Sequence, residues 1–469
     1  MRNELIDRLV SLVSRDGVLH TPEDLAAYSF DGTFAEGTPV AVVLPRTTEQ
    51  VSDVVRYAAD AHLPLVPRGM GTGLAAGSVP IPEGSLVICL TRMARILEID
   101  RANAAAHVEA GVVTADLQAA VEAVGLFYPP DPSSNRHSTI GGNIACNAGG
   151  PRCLKYGVTG DYVLGLTIVL ADGRVLRTGG KAIKDVTGLD LNALFTGSEG
   201  TLGLITEALL RLVPRPRFAR TALAEFDSLE AASHSVTAIL DAGIVPATIE
   251  LMDRTAIACV EEAVHLGLAT DREALLILEA DGTDEAAVRR EIEAAADICR
   301  EHGARSVRLA GSEAERKSLW EARRAVSPSL ARKAPNKLGE DITVPRSAIP
   351  DVVQRLRAIS ARNGLPIVIF GHAGDGNLHP NILFDRRQPE QWATAQRMVG
   401  EVFEASLALG GTLSGEHGVG ILKKPYLERA LGPVSMDVQR RIKQALDPMN
   451  LLNPGKLFPD AGVSEAKTP

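Results

Sequence analysis

The sequence predicts a mixed α+β protein of more than one domain, and three observations support that expectation. Short apolar runs alternate with helical stretches from about Val40 to Val213, with no fixed-period repeat. A proline-basic stretch, Pro214-Arg215-Pro216-Arg217, then interrupts regular structure as a domain boundary would. The length, 469 residues, exceeds what one hydrophobic core organises, and an apolar content of 45% is enough to fill two or three.

In chain order, residues 1–20 set Arg2, Glu4, Asp7, Arg8, Arg15 and Asp16 among apolar residues at helical spacing, which predicts a first helix and not a signal peptide. A strand is expected over Val40 to Leu44. A helix follows over Thr48 to His62, capped by Thr47 or Thr48, with Val51, Val54, Val55 and Ala58 on its apolar face. Further strands are expected at Leu63 to Val66, Ser85 to Leu90, Ala105 to Glu109 and Tyr162 to Leu170. Beyond the boundary, a strand at Leu275 to Glu279, a helix at Thr283 to His302 and another from Ser312 to Val326, stopped before Pro328, indicate a second α+β domain. Asp447-Pro448 and Asn453-Pro454-Gly455-Lys456 close the last helix.

Composition removes several function classes. A formal charge of -9 without a Lys/Arg-rich run argues against a nucleic-acid partner. No apolar run approaches the roughly 20 residues of an integral membrane segment, so a cytoplasmic protein, or one peripheral to the inner face of the membrane, is expected. Five scattered cysteines with no C-x-x-C pair favour neither a disulfide framework nor an iron-sulfur cluster, and fit a reducing compartment.

Chemistry concentrates near the C-terminus. Gly371-His372-Ala373-Gly374-Asp375-Gly376-Asn377-Leu378-His379 lies between the strand-like runs Leu365 to Phe370 and Asn381 to Phe384, and its Asp-Gly signals a hairpin. Cross-strand partners at a hairpin mouth come within roughly 5 Å, which suits two imidazoles on one metal ion. Ser414-Gly415-Glu416-His417-Gly418-Val419-Gly420 adds a carboxylate and an imidazole on a backbone that a ligand can approach closely. His372, His379 and Glu416 make a donor set for a divalent metal, Zn, Mn or Fe, with coordination positions left for substrate. The competing reading is ordinary turn residues with satisfied hydrogen bonds; four polar groups crowded into two glycine-rich loops favour function.

Three more glycine-rich segments precede the boundary. Pro67-Arg68-Gly69-Met70-Gly71-Thr72-Gly73-Leu74 follows a strand, as a phosphate-cradling loop does. Its G-x-G-x-x-A match is not a Rossmann fingerprint. That motif must open a helix, and Gly77, Pro80, Pro82 and Gly84 would break one at about 1 kcal/mol per Gly and 3 per Pro. The second segment, Pro129 to Ser134 and Ser138 to Gly150, is long, donor-rich and nearly uncharged, fit to wrap a large planar cofactor and its pyrophosphate. A third, Gly197 to Ile205, precedes a strand.

The order of these loops, followed by GHAGDGNLH, SGEHGVG and the terminal NPGK, resembles the FAD-linked 2-hydroxy-acid dehydrogenases of the vanillyl-alcohol-oxidase flavoprotein superfamily, of the glycolate oxidase flavin subunit and D-lactate dehydrogenase type. The likeness spans nearly the whole chain. It implies an FAD-binding domain of two α+β subdomains over residues 1–215, an α+β cap bearing an antiparallel sheet over 216–410, and a segment returning to the flavin over 411–469. By the same resemblance FAD is contacted by Pro67, Arg68, Gly69, Met70, Gly71, Thr72, Gly73 and Leu74 of the first loop and by Pro130, Asp131, Ser138, Thr139, Gly141, Gly142, Asn143, Ala148 and Gly149 of the second. Glu199, Gly200, Ile205 and Asn453 complete the set. Relatives with covalent flavin have a histidine where Thr72 stands, so FAD is expected to be non-covalent.

The resemblance also makes His372, His379 and Glu416 the metal ligands and His417 the base that takes the hydroxyl proton while hydride leaves C2 for the flavin. Arg323, in Trp320-Glu321-Ala322-Arg323, matches a carboxylate-binding arginine, against the competing reading of an exposed helix charge. Lys337 is a weaker candidate, and Asn377 would orient substrate or a metal-bound water. The implied substrate is a small 2-hydroxy acid such as glycolate or D-lactate, with D-2-hydroxyglutarate as an alternative. The acceptor would be a quinone, a cytochrome, an electron-transfer flavoprotein or an iron-sulfur partner subunit. A colourless metal-dependent hydrolase and a non-catalytic flavin relay subunit are the rivals, and the four candidate residues argue against a pure relay.

Overall fold

A computed structural model describes residues 2–458 of the chain. The chain divides into two units: the first comprises the residues up to Gly149, Val158–Arg215 and the chain from Glu416 on, and the second comprises Gly150–Gly157 and Pro216–Gly415. The excursion Gly150–Gly157, which sequence gave no sign of, is held inside the second unit by Lys155, whose ammonium reaches Asp281 O and Oδ1, both at 2.6 Å. Tyr156 adds its hydroxyl to Asp281 Oδ2 at 2.7 Å.

Two sheets organise the first unit. In one, the strands Ala41–Val43 and Leu65–Arg68 run parallel on either side of Leu86–Cys89, with Val18–Leu19 antiparallel at the edge. The helix Thr48–Asp60, capped by Thr47, lays Val51, Val54, Val55 and Ala58 into a core with Leu65, Leu86 and Ile88. The expected strand at Leu63 starts two residues later because the Leu63 amide still donates to Ala58 O and closes that helix. The other sheet is antiparallel, ordered Ile96–Asp100, Ala105–Glu109, Leu204–Arg211, Val163–Val169, Val175–Gly179. A short helix, Ile140–Cys146, was not anticipated in the second glycine-rich segment. Thr139 caps it by accepting from Gly142 N, and Gly141 fits because any Cβ there would press on Ala110.

The second unit is built on one sheet, ordered Ala304–Leu309, Phe218–Phe226, Ala274–Gly282, Thr248–Asp253, Ile367–His372, Asn377–Phe384, Asn336–Gly339, with Ile342–Thr343 also pairing with Asn377–Phe384. All its pairings are antiparallel. The helix expected to stop before Pro328 instead runs Glu313–Ser329 with Pro328 inside its last turn. Its apolar face explains this: Leu319, Ala322, Val326 and Leu330 all pack into one core with Leu223, Leu275 and Phe370, and that burial outweighs the lost hydrogen bond.

Candidate active site

In the first unit, Gly69 to Ser78 leave the strand Leu65–Arg68 as an irregular loop, with no helix following. Gly71 has φ +71°, and a Cβ there would overlap the Arg68 guanidinium, which lies buried beneath the loop over the Tyr28 ring at 5.5 Å. Among the described residues, no protein acceptor takes the amides of Met70 to Gly77. Amides without protein acceptors beside a buried cation fit a pyrophosphate.

Neighbouring loops converge on this one. A Cβ at Gly69 would overlap Thr139 Oγ1, and one at Gly200 would overlap Pro67. Asn453 donates to Gly77 O at 2.9 Å and to Glu199 O at 2.7 Å, joining the terminal NPGK to the first and third loops. Ser138 and Asn143 are buried and linked through Thr114: its hydroxyl donates to Ser138 O at 3.1 Å and accepts from Asn143 at 2.7 Å. Pro130 accepts from Gln118 at 2.9 Å on the helix that Thr114 begins. Ile205 is buried in the strand after the third loop. The Glu199 carboxylate accepts Val419 N at 2.6 Å and Gly420 N at 2.8 Å; burial raises its pKa while those amides pull it down. The same contacts seat the SGEHGVG loop, in which the Glu416 carboxylate stands 3.7 Å from His417 Nε2.

Sequence reasoning missed Lys456 and Asp31. Lys456 is buried, donates to Val79 O at 2.8 Å and to Asn453 Oδ1 at 3.1 Å, and burial lowers its pKa to about 8. It lay in plain view in NPGK, but nothing in sequence reports a lysine's burial. Asp31, buried at the turn where Gly32 N donates to Gly73 O, carried no motif at all.

In the second unit, the expected hairpin is present, with His372 and His379 on its two strands and Ala373 to Gly376 as the turn. The imidazole centroids are 5.1 Å apart at 87°. Gly374 is pinned against Leu154 and Gly376, at φ +85°, against Val344 O, so the turn admits no Cβ at either position. Glu250, opposite His372 on the adjoining strand, accepts from its Nδ1 at 2.6 Å. Arg323, projecting from the helix Glu313–Ser329, donates Nε to the other oxygen of Glu250 and stacks over Phe370 at 5.1 Å. At 6% exposure Arg323 is not an exposed helix charge, which corrects that competing reading. Burial pushes the Glu250 pKa up, but Arg323 and His372 outweigh it and hold the carboxyl below its usual value.

Asn377 is buried and donates to Asp341 Oδ1 at 2.6 Å and Ile342 O at 3.0 Å. Asp341 in turn accepts from Ser414 Oγ at 2.7 Å and Gly415 N at 3.0 Å, and lies 3.9 Å from His379 Nδ1. Lys337 is turned away, bonded to Ser327 O at 3.1 Å, and burial lowers its pKa to about 8. Glu250 and Asp341 escaped sequence reasoning; the available signal was an acid set among Ile249, Leu251 and Met252 and the Glu340-Asp341 pair before Ile342.

Residues 39–179 match the family described as FAD binding domain, and residues 215–457 match FAD linked oxidases, C-terminal domain. The chain belongs to the FAD-linked oxidases. This FAD-linked oxidase is 47% identical to the glycolate oxidase subunit GlcD of Bacillus subtilis across 92% of both chains. It is 33% identical to the D-lactate dehydrogenase of Anaerostipes hadrus across 90% of both. The solved structure of p-cresol methylhydroxylase, 18% identical, superposes with a TM-score of 0.82 across 99% of this chain and 98% of its own, so the fold is that of the vanillyl-alcohol-oxidase type. This oxidase is a flavoprotein, and the glycine positions of its first unit that exclude side chains fit FAD. None of its described helices is long and apolar enough to cross a membrane.

Proposed function

We propose that this FAD-linked oxidase converts a small 2-hydroxy acid, glycolate or D-lactate, to the 2-oxo acid. The observation that supports this most directly is the buried cluster of His372, His379 and Arg323 around Glu250, which combines metal-donor nitrogens with a guanidinium in one water-poor place. The guanidinium spends only Nε on Glu250, leaving two terminal NH₂ groups to receive a carboxylate. His372 and His379, with Glu416, would hold a divalent ion whose Lewis acidity makes the substrate hydroxyl more acidic. Asp341, near His379, adds a further carboxylate oxygen to the donors available.

Bound FAD, held without a covalent link because Thr72 stands where relatives have histidine, supplies the two-electron acceptor for the C2 hydride. His417 takes the hydroxyl proton, and Asn377, fixed on Asp341, orients the substrate or a metal-bound water. Reoxidation falls to a quinone, a cytochrome, an electron-transfer flavoprotein or an iron-sulfur partner subunit. The protein works in the cytoplasm or peripheral to the inner face of the membrane.

An anaerobic absorbance spectrum tests the reading: purified protein is recorded before and after glycolate, D-lactate and D-2-hydroxyglutarate, each with and without a chelator. Bleaching of the flavin band by glycolate or D-lactate, lost on chelation, is the expected result. Bleaching by D-2-hydroxyglutarate alone would replace the substrate, and a band that none of the three bleaches would overturn the assignment.

A further inference from the structure

Glu250 lies in the strand Thr248–Asp253 with no exposed surface, between the apolar Ile249 and Leu251. Removing a carboxylate from water is costly unless its oxygens are met by donors. Here they are met three times: Oε1 accepts from His372 Nδ1 at 2.6 Å and from Thr248 Oγ1 at 3.2 Å, and Oε2 accepts from Arg323 Nε. An ionised carboxylate is acceptor-only, so both nitrogens facing it must bear hydrogen. That condition fixes one of the two neutral forms of His372.

We propose that Glu250 is a positioning residue of the site: its carboxylate holds His372 in the Nδ1–H tautomer, which turns the Nε2 lone pair toward a divalent ion, and pins Arg323 so that its terminal NH₂ groups face the substrate carboxylate. The claim rests on the roles given to His372 and Arg323 under Proposed function. Packing alone does not account for an acid here. Apolar residues of similar volume would fill the sheet interior without a desolvation cost, and replacing buried ionic groups in that way is often neutral or stabilising. The pairing is also geometric: Glu250 is the register partner of His372, so the backbone ladder itself sets the carboxylate against the ring.

The isosteric variant Glu250→Gln separates the possibilities. A glutamine has one acceptor oxygen, which the permanently protonated Arg323 Nε claims, and its NH₂ then faces Nδ1 and demands a lone pair there. His372 should switch to the Nε2–H tautomer, the wrong form for ligation. Two readouts are taken on full-length protein. In the metal-free wild type, ¹⁵N shifts of labelled histidine, assigned to His372 by its absence in His372→Gln, should show Nδ1–H, reversed in Glu250→Gln. Zinc affinity, from competition with a chromophoric chelator, should fall 10- to 100-fold in the variant, with FAD content unchanged.

A wild-type ring protonated on Nε2 overturns the proposal and needs no variant to fold. So does a variant with unchanged tautomer and zinc affinity within twofold, even if it melts earlier, since that is the mark of a merely structural acid. If the wild type binds no zinc, the metal reading fails, and the tautomer result still decides whether Glu250 holds the ring.

Discussion

The glycine-rich loops of the first unit close on one another at positions such as Gly69, Gly71 and Gly200 where no side chain fits, whereas the second unit gathers Glu250, Arg323, Asp341, His372 and His379 in and beside one sheet. The first way of building is ruined by a methyl group. The second tolerates changes of shape poorly too, but its distinctive weakness is to a proton or a charge out of place. A cofactor with a long, multiply oxygenated backbone needs many aligned donors, while a two- or three-carbon acid must be held and chemically altered at one spot by strong groups.

Four substitutions would break or sharpen that contrast. Changing His417→Ala removes the proposed base and is expected to slow anaerobic flavin bleaching about 10²- to 10⁴-fold while the ratio of flavin to protein absorbance stays constant; loss of both together would place His417 among the flavin-holding residues. Gly420→Ala introduces a Cβ at φ +52°, onto Ala75 O, in the loop that Glu199 anchors. It should cost roughly 2–4 kcal/mol and release FAD during gel filtration, without altering any ionisable group.

Asp253 sharpens the charge side. It caps the helix Arg254–Val264 through Ala256 N at 2.8 Å and also accepts Ile369 N at 2.6 Å, and burial raises its pKa to about 6 from an unfolded value of 3.8. Between those values the folded state holds the proton more tightly than the unfolded one, so this group's stabilisation is present below pH 4 and is lost as pH rises through 6. The stability of wild type relative to Asp253→Asn, which loses one of the two acceptors at every pH, should therefore fall by up to about 3 kcal/mol between pH 4 and 7 in paired denaturant titrations. The smallest effect is expected from Pro328→Ala, which restores a hydrogen bond inside the helix Glu313–Ser329 and should raise the melting temperature by roughly 2–4 °C for about 1 kcal/mol.

Motifs confined to a few consecutive residues were legible in the sequence. Glycine spacing located the irregular loop after Leu65–Arg68, Asp375-Gly376 located the hairpin and hence the pair His372 and His379, and Thr47 with an apolar stripe located the helix Thr48–Asp60. What escaped was set by register between distant strands. Glu250 and His372 are 122 residues apart in sequence, and only the pairing of Thr248–Asp253 with Ile367–His372 makes them partners. Pro328 misled for a related reason: the local rule that proline ends a helix was overridden by the burial of Leu330 in a core the sequence window could not include.

The edge of the first parallel sheet is finished by the far end of the chain: Leu65 N donates to Leu451 O at 2.8 Å, and Asn453 N donates to Leu65 O at 2.7 Å. During synthesis at about 5–20 residues per second, that edge waits roughly 20–80 s for its last partner. Through that interval the first glycine-rich loop lacks the Asn453 that ties it to the third, and the nascent chain carries a strand edge that a neighbouring chain could pair with. Flavin capture is thus expected only once the chain around Asn453 has been made, so these late residues, not the first loops to emerge, set when this enzyme acquires its colour.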